Sequence, residues 1–203
     1  EVLRGPQSTY FGKNTTGGLI NIKSRGPTAE WEGYVKGGRE LDVGGWLAEG
    51  AVGGPITDKL GIRVAYRHTE SDGYLKIIGT DEDVPNTTDD VARVTLDFRP
   101  SDAVSITYKF AYFDNHEKGN GQEVGSCGVD YRQSLEDLGS PEDCVINYRK
   151  APEFPIDGGL LPNTFFNRNE GHMHSLNVDV PLGEFRLTSV SGYNDLKSDW
   201  SAD

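Results

Sequence analysis

The chain has 203 residues, 35% of them hydrophobic, and a formal charge of −12 at pH 7. That balance argues against a nucleic-acid partner, because neutralising phosphates takes clustered Lys and Arg. No apolar run approaches the ~18 residues of a membrane-spanning helix, which excludes a helical membrane protein. A membrane β-barrel stays open, since every second residue of its strands faces a polar lumen.

The first 27 residues read EVLRGPQSTYFGKNTTGGLINIKSRGP. Pro6 fixes its own φ and disfavours a helical Gly5, while Gly12, Gly17 and Gly18 permit positive φ, so the chain must double back within a few residues. A compact folded loop ending in a short Leu19-Ile20-Asn21-Ile22 strand is expected. Taken singly, each feature is also what a Gly-rich turn of any all-β domain would show. In this order, however, Arg4-Gly5-Pro6, Phe11-Gly12 and Gly17-Gly18-Leu19-Ile20-Asn21-Ile22 resemble the last segment of the plug domain of TonB-dependent outer-membrane receptors. One departure is Ser8, where many members of that family carry Gly.

Seven strands are predicted after this segment, near Trp31–Arg39, Trp46–Gly53, Leu60–Thr69, Asp90–Arg99, Val104–Asp114, His172–Val180 and Phe185–Trp200. Their period is two. Leu60, Ile62, Val64 and Tyr66 alternate with Gly61, Arg63, Ala65 and Arg67, and Val104, Ile106, Tyr108, Phe110 and Tyr112 with Ser105, Thr107, Lys109 and Ala111. The first two strands are Gly-rich and ambiguous, and the seventh loses phase near Ser189 and Val190, a candidate bulge.

The connections Pro55–Lys59, Pro100–Ala103 and Pro181–Glu184 carry turn residues and are tight, whereas Glu70–Asp89 and His116–Gly171 are long. Only Glu40–Gly45 breaks the alternation by being short. Short turns at one end and long loops at the other are the arrangement of outer-membrane barrels. Alternation alone fits a soluble β-sandwich equally well. Aromatic placement favours the barrel: Phe98 and Phe185 sit beside tight turns, while Tyr66, Tyr112 and Tyr193 lie most of a membrane span away, as two interfacial girdles would.

The long loops concentrate acid. From Asp114 to Asp157 there are ten Asp and Glu against four Lys and Arg, and Asp81, Glu82, Asp83, Asp89 and Asp90 form a second patch. Cys127 and Cys144 lie in the longer loop; a disulfide closing a loop of this size gains about 3 kcal/mol in the chain-entropy model. Two Cys alone do not make a zinc site. His172 and His174 would share a face of their strand, but without a third ligand they are expected to be a rim-exposed pair rather than a metal site. No Gly-x-Ser-x-Gly elbow, phosphate-binding loop or His-Glu-x-x-His helix occurs, so neither an enzyme nor a cofactor is expected.

The resemblance implies residues 1–27 as the C-terminal segment of a plug domain and 28–203 as the N-terminal part of a transmembrane β-barrel. The expected fold is all-β: about seven antiparallel strands forming an open arc of a larger plugged barrel, since such transporters have about 22 strands. The chain is thus expected to be a segment of a longer outer-membrane protein. The plug motif to watch is Arg4, Gly5, Pro6, Gly12, Gly17, Gly18 and Asn21, in which Arg4 would pair with barrel-wall carboxylates beyond Asp203.

The implied partners are TonB, acting through an N-terminal region, outer-membrane lipid, and a scarce nutrient such as a ferric siderophore. Ligand contacts are expected in the two long loops, whose acidity leans toward neutral or cationic cargo. A passive porin or adhesin barrel and a soluble carbohydrate-binding β-sandwich are the competing readings.

Overall fold

The structure is a computed structural model that describes residues 2–6, 15–79, 81–119, 121–123, 125–137, 139–140, 143–150 and 165–201, Lys150 by its backbone only. The first hairpin pairs β1 (Val2–Arg4) with β2 (Gly18–Ile20), Val2 opposite Ile20 and Arg4 opposite Gly18.

The body of the chain is one seven-stranded sheet. Its strands are β3 (Glu32–Arg39), β4 (Trp46–Thr57), β5 (Leu60–Ser71), β8 (Asn86–Ser101), β9 (Val104–Lys118), β11 (Phe166–Leu182) and β12 (Phe185–Ser201). They neighbour one another in chain order and every pair is antiparallel, so the sheet is a meander with β3 and β12 as its edges. This is the expected open arc. Strands β8, β9, β11 and β12 run 15 to 17 residues, longer than the sequence suggested and longer than the roughly 9 to 11 that span a bilayer. They project past the membrane band at the long-loop end.

The candidate bulge at Ser189 and Val190 is absent, for β11 and β12 keep register from Phe166↔Ser201 to Leu182↔Phe185. Register shifts fall instead beside two tight turns, between Pro55 and Thr57 and between Phe98 and Ser101. Each shift carries a proline, Pro55 or Pro100, which has no N–H to give the ladder and so favours a local irregularity.

Register partners and residues two apart share a face, which sorts the sheet into two surfaces. One carries rows such as Ile62–Leu96–Tyr108–Leu176 and Val52–Val64–Val94–Phe110–His174. Its apolar side chains are open: Val52, Val64, Phe98, Leu176 and Phe185 are all exposed. The opposite face carries Arg63, Thr95, Lys109 and Asn177, and the buried residues Arg63 and Thr95 belong to it. A sandwich would enclose the apolar rows under a second sheet; here they face outward.

Between the long strands, β6 (Leu75–Ile77), β7 (Asp83–Val84) and β10 (Arg149–Lys150) form a small sheet at the long-loop end, in the order β10-β6-β7. Pairing of β10 with β6 is parallel and joins loops that precede and follow the β8–β9 hairpin. Leu75, Val84 and Cys144 are buried there, a miniature core. Among the described residues one helix, α1 (Val129–Asp137), lies in the longer loop and buries no residue.

Candidate functional site

Residues 21–31 connect β2 to the sheet as a strap without regular structure. Lys109 Nζ, on the polar face of β9, donates to Ser24 Oγ at 3.1 Å. A β-carbon on Gly61 would come within 2.8 Å of Pro27 Cβ, so the strap lies directly on the backbone of β5. Between strap and wall is a cleft of about 530 Å³ lined by Ile22, Ser24, Arg93, Lys109, Met173 and Asn194. The polar face is therefore the inner one, covered by chain that arrives from the β1–β2 hairpin. At the base of the strap, Arg25 Nη2 lies 2.8 Å from Glu32 Oε1, and the buried Arg63 reaches the same oxygen at 3.4 Å.

The plug-motif residues divide between hairpin and strap. Gly18 adopts φ +140° and a β-carbon there would lie 2.6 Å from the Leu3 carbonyl oxygen, so the β1–β2 pairing demands glycine. Gly5 has φ +84°, and nothing lies near the space a side chain would fill at Gly5 or Gly17. Pro6 follows Gly5, Arg4 is exposed and forms no ion pair with another described residue, and Asn21 opens the strap. Gly12, with Phe11, lies outside the described residues.

At the opposite end the two long loops form a shared cap. Cys127 and Cys144 are disulfide-bonded, with Cα atoms 5.6 Å apart, as expected from the sequence. Tyr74 donates its hydroxyl to the Gly121 carbonyl at 3.0 Å and Lys76 N–H to the Tyr148 carbonyl at 2.9 Å. Glu123 Oε1 accepts backbone N–H groups from Asn147 at 2.5 Å and Arg149 at 3.4 Å. Two clefts of about 490 and 330 Å³ open beside this cap, lined by Asp42, Asp72, Asp81, Glu82 and Asp83 with Lys76 and Lys118. No trio of His, Cys, Asp or Glu among the described residues is arranged to hold a metal.

The His pair is not at the rim. Because β11 begins at Phe166, six residues before His172, both histidines fall within the strand, on the outward face. Their rings are 5.2 Å apart, and His174 lies among Tyr108, Phe110 and Tyr193 with its Nδ1 2.6 Å from the Tyr108 hydroxyl. Two residues beyond His172 the outward face becomes charged: Arg168 binds Asp114 through Nε and Nη2 at 3.3 and 3.0 Å and Glu170 at 3.1 Å, and Lys197 binds Glu170 at 3.2 Å. Farther along the arc, Tyr66 and His68 both bond Asp90, and Trp46 bonds Glu70. This collar bounds an apolar band with Tyr66, Tyr112 and Tyr193 near its upper limit and Phe98 and Phe185 near the tight turns. Both expected girdles lie on one outward surface, as a lipid-facing wall requires.

No family model matches the sequence. The pesticin receptors of Yersinia enterocolitica and Yersinia pestis are 31% identical over 104 residues, half of this chain and 15% of theirs. An iron-regulated outer membrane virulence protein of Vibrio cholerae is 36% identical over 77 residues, 36% of this chain and 12% of that one. The crystal structure of the ferric yersiniabactin uptake receptor FyuA from Yersinia pestis superposes with a TM-score of 0.74 at 20% identity, covering 98% of this chain and 28% of that one. The chain thus spans less than a third of each of these relatives.

An antiparallel meander with an outward apolar band, a polar inner face and these relatives define the class, a β-barrel of the bacterial outer membrane represented by an open arc. The likeness to these receptors agrees with the resemblance to TonB-dependent receptors carried by Arg4-Gly5-Pro6 and Gly17–Ile22.

Proposed function

We propose that residues 1–27 end a plug domain and residues 28–203 begin the barrel of an energised importer whose cargo is a scarce nutrient, a ferric siderophore or similar iron complex. The observation that carries this reading is the strap held to the inner wall by Lys109–Ser24 and Arg25–Glu32–Arg63, which ties the chain preceding the sheet to its polar face as the end of a plug would be. The names of the relatives support the cargo class: one takes up ferric yersiniabactin and another is iron-regulated.

In this reading TonB draws on the plug from the periplasm, where the tight turns lie, and cargo enters past the disulfide-bonded cap. The chain's part is binding and gating, with no bond-making step. Acidic residues around the cap clefts favour a neutral or cationic complex over a strongly anionic one. The test is uptake of a labelled ferric complex by cells carrying the complete receptor, with and without an uncoupler. Uptake that stops when the proton gradient collapses supports the importer; uptake that continues favours a passive barrel.

A further inference from the structure

We propose that Arg25, Glu32 and Arg63 form a clamp that confines movement of the plug segment and keeps it from peeling the first barrel strand away from the wall. This deepens the importer reading and rests on it. Glu32, Gly53 and Arg63 occupy one row across β3, β4 and β5, since Glu32 is the register partner of Gly53 and Gly53 that of Arg63. Arg63 therefore crosses the middle strand to reach Glu32. Gly53 makes the crossing possible: a β-carbon there would lie 2.9 Å from Arg63 Cβ and 3.0 Å from its Cγ.

The geometry decides how a pull is shared. Force on the strap enters β3 at Glu32, so Glu32↔Gly53 is the first register pair of the ladder to be loaded. The ladder to β4 is eight pairs long and includes Gly33, Gly37, Gly38 and Gly50, which contribute no cross-strand side-chain packing. The clamp changes the route. Tension on Arg25 passes through the Glu32 carboxylate to Arg63, on a strand flanked by β4 and β8. Arg63 has 7% of its side chain exposed, so its guanidinium is fixed before any pull begins. Pro27 seated on Gly61 braces the strap between the two guanidinium groups.

The experiment pulls the N-terminus of the complete receptor in a bilayer and records the chain length released before the barrel gives way. In the parent, release stops at the strap. In Glu32→Gln and Arg63→Met it lengthens by residues 25–39, about 15 residues at roughly 3.5 Å each, or about 50 Å. Arg63→Lys, which keeps the charge, gives an intermediate frequency of the longer event. Unheated electrophoretic mobility equal to the parent's establishes that each variant barrel is folded. Equal release lengths in the parent, Glu32→Gln and Arg63→Met overturn the clamp. The instrument supplies the force, so uptake that ignores the proton gradient would refute the importer reading without altering this result.

Discussion

The Lys109 ammonium donates to the Ser24 hydroxyl across 85 residues of sequence, and this contact fixes which face of the sheet is the lumen. A part-buried hydrogen bond from a charged donor contributes about 1.5 kcal/mol, the low end for such bonds because solvent still reaches it. Lys109→Ala in the complete receptor should therefore raise tryptic cleavage at Lys23 and Arg25 by roughly tenfold, which is what that energy corresponds to. Cleavage at the parent's rate would show that the contact does not hold the strap.

Leu176 and Asn177 are neighbours in sequence that face opposite solvents. Leu176 lies in the outward row with Ile62, Leu96 and Tyr108, and Asn177 faces the lumen opposite Thr107. Leu176→Arg should cost about 2–4 kcal/mol in the membrane-inserted receptor, the penalty for an Arg on the lipid face near mid-depth. Asn177→Arg should cost well under that, because its guanidinium stays in water. Urea unfolding from lipid vesicles measures both, and equal costs would contradict the assigned faces.

Without a bilayer, the 203-residue chain exposes its outward rows and two unpaired strand edges, β3 and β12. Such edges template pairing with other chains, and apolar patches of this extent drive association. The isolated chain should precipitate or form large assemblies in detergent-free buffer and disperse in detergent. Sedimentation of a detergent-free monomer would count against the membrane assignment.

Reduction of Cys127–Cys144 should loosen the cap and leave the wall intact. The bond closes a 17-residue separation, for which the chain-entropy model gives about 3 kcal/mol. Hydrogen exchange at Lys76 and Ile77, which the cap sheet holds, should quicken in the Cys127→Ser/Cys144→Ser variant of the complete receptor, while amides of β8 and β9 keep the parent's protection. Uniform quickening across the sheet would show that the disulfide supports the barrel itself.

The wall was legible from sequence because one face meets hydrocarbon and the other water, which stamps a period of two on Leu60–Tyr66 and Val104–Tyr112. Strand ends were not. Beyond Phe113 and from Asn167 to Glu170 both faces are polar, so Asp114–Lys118 and Arg168–Glu170 show no alternation although their backbones continue the ladder. That shortfall is why His172 and His174 read as rim residues. The cap sheet was hidden for another reason: β6, β7 and β10 have two or three residues each, and the parallel pair joins Lys76 to Arg149 across most of the loop sequence. Helix α1, Val-Asp-Tyr-Arg-Gln-Ser-Leu-Glu-Asp, buries nothing and so carries no apolar stripe to read. At the inner site the glycine and proline signals of the hairpin were visible, whereas the meeting of Arg25, Glu32 and Arg63 depends on strand register that no local pattern encodes.

The parallel seam between β6 and β10 yokes two outer flaps that spring from different hairpins. Neither flap can lift by itself without breaking the seam and uncovering Leu75 and Val84. The two loops are therefore coupled at their tips, and whatever tilts one half of the seam tilts the other.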